Sequence, residues 1–216
     1  MKKFLVLGSL FLVIFAGCKK RMIKPTPIPK LPTVEKKGGE KKVDLEGKKI
    51  LMVIAPTNFR DEEFQKPKEI FEEAGALVTV AAKGVSEATG MLGARTLVDR
   101  DISQVRVADY DAVVFVGGSG ASVYFNDPQV LALAKDAFAQ GKIVGAICIA
   151  PSILANAGIL GGKRATCFSS EAGNLQSKGA VYTGEEVTVD GKIVTASGPQ
   201  AAEEFGEKIK ELLSQT

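Results

Sequence analysis

No histidine occurs anywhere in the 216 residues. That absence removes every mechanism that needs an imidazole base, and most zinc sites with it. Cysteine is scarce, at three residues. With Cys18 assigned to the N-terminal segment, Cys148 and Cys167 remain for the folded part. Two cysteines make no disulfide framework in a domain this large, so the fold must rest on its apolar core; whether the two pair stays open. The longest apolar run, residues 4–15, is short for a membrane span. The net charge of +3 is concentrated at the start, where residues 1–42 hold eleven Lys and Arg against two Glu. The remainder is mildly acidic, which does not suggest a nucleic-acid-binding surface. There is no internal repeat. The glycines match neither a phosphate-cradling loop nor a dinucleotide fingerprint, and neither a cofactor nor a metal is expected.

Two lysines, an apolar stretch and a close on Ala16-Gly17-Cys18 have the layout of an export signal. Cysteine directly after Ala-Gly resembles the lipobox of bacterial lipoproteins, although Phe15 stands where that motif usually has Leu or a smaller aliphatic. The resemblance implies removal of residues 1–17, a lipidated Cys18 and a domain held at the bacterial cell envelope, outside the cytoplasm. An uncleaved membrane anchor and a plain secretory signal are the alternatives. Residues 19–47, rich in Lys, Pro and Gly, read as a tether between Cys18 and a domain spanning residues 48–216.

That domain is organised around residues 141–160, GKIVGAICIAPSILANAGIL. Residues 143–147 form an apolar run of the kind a buried parallel strand shows, and residues 150–157 read as a helix ending at Gly158. The tight turn between them carries Cys148, with Ala146 and Ala150 two residues to either side. A strand turning straight into a helix with a nucleophile at its tip strains that residue and requires small neighbours at this spacing. Pro151 suits the first helical turn, whose free N–H groups would favour a thiolate. The competing reading is a buried structural cysteine.

Strands are expected at 49–55, 77–82, 110–116, 163–168, 181–189 and 192–196, and helices at 61–74, 127–140 and 201–213. The glycine-bearing stretch 84–106 is expected to hold a short hairpin or edge strands. This alternation predicts a three-layer α/β sandwich with a mainly parallel sheet, and ligands at the carboxyl ends of its strands. There the 58–63 loop, Gly117-Gly118 and Cys148 would meet.

Asn58-Phe59-Arg60-Asp61-Glu62-Glu63 and Pro67 after the first strand, FVGG at 115–118, AICIAP at 146–151 and DGKIVTASGP at 190–199 resemble the DJ-1/PfpI family, also called ThiJ/PfpI. The likeness covers roughly residues 48–215. It implies a flavodoxin-like fold, a homodimer or larger homo-oligomer, and Cys148 as nucleophile with oxyanion-type amides from Gly118 and Ile149. The activities it implies are peptidase-like hydrolysis, glyoxalase or deglycase action on reactive carbonyls, redox sensing and chaperone-like holding. It also implies a carboxylate beside the cysteine, at a position where Arg60 aligns, flanked by Asp61 and Glu63. The residue after the cysteine, His in the peptidase-like branch, is Ile149 here. The acid that follows the Gly-Gly pair in some members is Ser122.

With no imidazole, a general acid for a leaving amine is hard to find. Arg60 beside Cys148 would instead favour the thiolate by charge and hold an oxidised sulfur. Its alternative is a surface pair with Asp61 or Glu63. Glu63 is the carboxylate expected to shuttle a proton; its alternative is a first-turn acid on the helix dipole. Tyr124 is expected in the same pocket, and Cys167 in the core. Two function classes follow. One is a Cys148-dependent hydrolase or glyoxalase-like lyase acting on a small electrophile, a reactive carbonyl or a peptide. The other is a redox-sensing, chaperone-like or scaffold domain without catalysis.

Overall fold

The apolar runs become the inner strands of one sheet. The computed structural model describes residues 44–216; the signal segment, Cys18 and the tether up to residue 43 lie outside the described residues. In chain order the elements are β1 (Lys49–Val53), β2 (Thr57–Phe59), α1 (Asp61–Glu73), β3 (Leu77–Ala82), β4 (Glu87–Gly90), β5 (Arg95–Leu97), β6 (Arg100–Asp101), β7 (Ala112–Phe115), α2 (Pro128–Ala139), β8 (Ile143–Ile147), α3 (Pro151–Asn156), β9 (Arg164–Ala165), α4 (Ala172–Ser177), β10 (Val181–Tyr182), β11 (Val187–Asp190), β12 (Ile193–Ala196) and α5 (Ala202–Leu213).

Seven strands form the central sheet in the order β11-β12-β8-β7-β1-β3-β6, and every neighbouring pair is parallel except β11 with β12. Inner strands β7 and β8 are buried along their whole length, which is why they read as unbroken apolar runs and not as alternating ones. One face packs on α1 and α5 through Phe64, Phe71, Phe205, Ile209 and Leu213. The other packs on α2 and α3 through Val130, Leu133, Ala134, Ile153 and Leu154. Each such side chain, once fully buried, contributes roughly 1.5–3 kcal/mol. The result is the expected flavodoxin-like three-layer sandwich. Register brings Val53 beside Phe115, Phe115 beside Ala146 and Ile147 beside Ala196, so the loops leaving β1, β7, β8 and β12 emerge at one end.

Helix α2 starts as its sequence predicts: the Asp127 side chain accepts from the N–H groups of Gln129 and Val130, and Pro128 follows. Within 84–106 the structure shows the β4–β5 hairpin and edge strand β6. Three expectations are corrected. Only Arg164 and Ala165 of the 163–168 stretch are strand, paired with β10 in a separate two-stranded sheet. The 181–189 strand is broken into β10 and β11, with Gly184 at a positive φ of 70° between them. Leu45, assigned to the tether, is fully buried, and its N–H donates to the Ala74 carbonyl.

Candidate active site

Cys148 has φ of +63°, a left-handed conformation that an L-residue with a Cβ adopts only under constraint. The constraint comes from both of its backbone groups. Its N–H donates to the Ala196 carbonyl at 2.9 Å, and its carbonyl accepts from the Phe168 N–H at 2.8 Å. Ala146 and Ala150, both fully buried, leave room for the turn. The strained elbow expected from the alanine spacing is therefore real, and it presents a cysteine that is 8% exposed.

Around it, three consecutive acids at the start of α1 point three ways, as a helix advancing about 100° per residue requires. Asp61 turns to the β4–β5 hairpin, accepting from the N–H groups of Leu92 and Ala94, both at 2.8 Å. This holds the hairpin tip, with Met91, over the site. Glu62 turns outward and takes the Arg60 guanidinium at 2.8 and 3.1 Å. Glu63 turns inward and is 0% exposed.

Glu63, not Arg60, is thus the group beside Cys148. The reading that placed Arg60 at the sulfur is corrected: Arg60 lies at the edge of the cleft, with Glu62 holding its guanidinium and raising its pKa. Among the described residues neither Glu63 oxygen has a fully formed hydrogen bond. Burial pushes its pKa up from 4.5 to about 7, against a weaker downward pull from the Cys148 thiol. Burial and the neighbouring Glu63 charge push the thiol in turn up to about 12, although the N–H groups of Gly118 and Ile149 face the sulfur and draw it down. These are the two amides expected to serve a developing oxyanion. The loop after β7 approaches so closely that a Cβ on Gly118, at φ +92°, would collide with the Arg60 backbone nitrogen.

Glu63 and Cys148 are best treated as one titrating pair. Two negative charges in this dry corner are unfavourable, so the pair gives up its first proton near neutrality and its second only in strongly alkaline solution. Over the intervening range the negative charge rests on the Glu63 carboxylate and the Cys148 thiol keeps its proton. This replaces the expectation of a thiolate stabilised by an arginine.

The pair opens into a cleft of about 410 Å³, lined by Arg60, Met91, Ile149, Phe168, Glu171 and Pro199 among others. Tyr124 is not among its lining residues. Its hydroxyl donates to the Ile54 carbonyl and accepts from the Lys83 N–H, beneath a different hollow. Cys167 is a buried free thiol, as is Cys148. Two polar residues escaped sequence reasoning: Ser152 in the first turn of α3 and Glu171, whose carboxylate accepts from it at 2.7 Å. They are 19 positions apart and no spacing links them to Cys148, so only the folded chain brings them together.

A model of the DJ-1/PfpI family matches residues 48–212. The chain belongs to the DJ-1/PfpI family. An uncharacterized protein from Methanocaldococcus jannaschii is 41% identical over 170 residues, covering 77% of this chain and 83% of its own. The crystal structure of a ThiJ/PfpI domain protein from Brachyspira murdochii superposes with a TM-score of 0.77 at 37% identity, over 79% of this chain and 99% of that one. A protein named deglycase from Thermococcus kodakarensis is 30% identical over 149 residues, 69% of this chain and 90% of its own. Within this DJ-1/PfpI chain the elbow, the inward carboxylate and the two amides form one constellation, without any imidazole.

Proposed function

We propose that this chain is a cysteine-dependent enzyme that acts on small reactive carbonyl compounds, in the manner of a glyoxalase or deglycase. The observation that carries the reading is the fully buried, otherwise unpartnered Glu63 beside Cys148 at a strained elbow. A carboxylate whose proton leaves near pH 7 suits general acid–base work at neutral pH, with no histidine required. The relative named as a deglycase supports the same class.

For a dicarbonyl substrate the chemistry closes with these groups. The Cys148 sulfur adds to the aldehyde carbon, and the resulting oxyanion is met by the Gly118 and Ile149 N–H groups before it takes a proton. Glu63 removes the hydrogen on that carbon as a proton and returns it to the adjacent carbon, which turns the hemithioacetal into a 2-hydroxy thioester. Water cleaves the C–S bond, releasing the 2-hydroxy acid and restoring the thiol. Each step needs one proton carrier next to the sulfur, and Glu63 fills that place. Hydrolysis of a peptide would need in addition an acid for the leaving amine.

The test is methylglyoxal consumption by the full chain and by Cys148→Ser and Glu63→Gln. Turnover should vanish in the first and fall by about 10²–10⁴-fold in the second, the usual contribution of a general acid or base. Absence of turnover in the unaltered protein on any reactive carbonyl would return the scaffold reading to first place.

We infer further that Cys18 is lipidated and ties the domain to the cell envelope. The support is the Ala16-Gly17-Cys18 close after a short apolar run. Mass measured on membrane-extracted protein should show acyl chains on a new N-terminal Cys18; an intact residue 1 or an unmodified Cys18 would reject this.

A further inference from the structure

The Cys148 cleft has a charge imbalance that the catalytic constellation does not use. Glu63 and Glu171 both line it, against a single cation, Arg60, and that guanidinium is bound to Glu62. Glu171 is not a stray surface acid. Ser152, fully buried in the first turn of α3, donates to its Oε2 at 2.7 Å, and Ser170 donates to its Oε1 at 3.0 Å. Among the described residues it takes part in none of the ion pairs. Each carboxylate oxygen can accept more than one hydrogen bond, so acceptor capacity remains. The walls beside it are Met91, Ile149, Phe168 and Pro199, apolar surface of the kind that covers an aliphatic stem, and the Phe168 ring is 47% exposed.

We propose that Glu171, held by Ser152, is the specificity-determining residue of this cleft and selects electrophiles that carry an ammonium or guanidinium group. Glu171 makes no contact with the reacting atoms. It fixes the charged end of the ligand while the electrophilic carbon or sulfur meets Cys148. The inference deepens the carbonyl reading but needs from it only that Cys148 is reactive.

Cationic and anionic methanethiosulfonates test it without turnover. The Cys148 thiolate, its proton lost to solvent, attacks the sulfenyl sulfur; an S–S bond forms and methanesulfinate leaves with the electron pair. The trimethylammonium-ethyl and sulfonatoethyl reagents are compared on the full chain at low salt. Modification is followed on the Cys148 peptide by mass spectrometry, and the rate ratio is divided by that of 2-mercaptoethanol. A carboxylate a few ångströms from the reagent's charge should raise the normalised ratio about tenfold or more. Glu171→Gln should return it towards one, and Ser152→Ala should fall between. Raising NaCl to 0.5 M should also compress the wild-type ratio, which keeps the test open if Glu171→Gln does not fold. A wild-type ratio equal to that of the free thiol, one indifferent to salt, or one retained in Glu171→Gln would overturn the proposal. If the ratio behaves as expected but no carbonyl is turned over, the carbonyl reading fails and the cation site stands.

Discussion

Glu63 Oε2 and the Cβ of Cys148 converge on one point above Gly117, at 2.5 and 2.6 Å from where a Cβ on that glycine would stand. The acid and the nucleophile lie 85 positions apart in the chain, and a residue without a side chain lets them meet. Each controls the other's proton; Glu63 is fully buried, and Cys148 meets solvent only through the cleft. The consequences can be measured.

The pH dependence of Cys148 reactivity should report the pair and not a lone thiol. Its carboxamidomethylation by iodoacetamide, followed on the Cys148 peptide, should rise through an inflection near pH 7, where the pair loses its first proton. In Glu63→Gln that inflection should disappear and the thiol should titrate once, below the value of about 12 that Glu63's charge helps to impose. A profile unchanged by the substitution would contradict the pairing.

Stability should carry the opposite sign from the usual carboxylate. Glu63 is raised in the folded state from 4.5 to about 7, so the fold binds its proton more tightly than the unfolded chain does. Its favourable contribution is present below pH 4.5 and is lost as pH rises to about 7, a change on the order of 3 kcal/mol. Urea midpoints for the unaltered protein should therefore fall relative to those of Glu63→Gln between pH 4 and pH 8. A constant difference across that interval would show that Glu63 is not titrating in the fold.

Gly117→Ala should damage the site more than its size suggests. The new methyl would also stand 2.6 Å from the Ile147 carbonyl oxygen, so backbone or site must shift. The expected cost is about 1–3 kcal/mol, as for overpacking in a core, with loss of Cys148 alkylation even where the chain folds. A variant that reacts at the wild-type rate would mean the loop has slack that this geometry does not show.

Much of the architecture was legible because it rests on local patterns. The apolar runs at 49–55 and 143–147 carry the mark of buried strands, 77–82 that of a strand with β-branched residues at alternate positions, Asp127-Pro128 marks the start of α2, and the alanines flanking Cys148 suit a tight elbow. The short β9 and β10 escape a sequence reading because KRATCF at 163–168 and the Gly184-interrupted 181–189 stretch carry too little pattern to show whether they join the main sheet or pair for two residues beside it. Leu45 was missed because one apolar residue at the end of a polar stretch has no periodicity.

The site divides along the same line. Sequence alone determined that no imidazole can assist Cys148 and that acids begin the helix after β1, and it pointed to a strand–helix elbow that the left-handed φ of Cys148 then established. Which acid turns inward was a tertiary decision. Asp61, Glu62 and Glu63 are adjacent and chemically alike, and their roles were set by what surrounds the first turn of α1: hairpin amides for Asp61, the Arg60 guanidinium for Glu62, and the dry space behind Gly117 for Glu63. The same holds for Ser152 and Glu171, which meet only after α3 and the segment beyond β9 pack together. Burial and charge proximity are properties of the folded chain, and they decide which of several identical functional groups performs the chemistry.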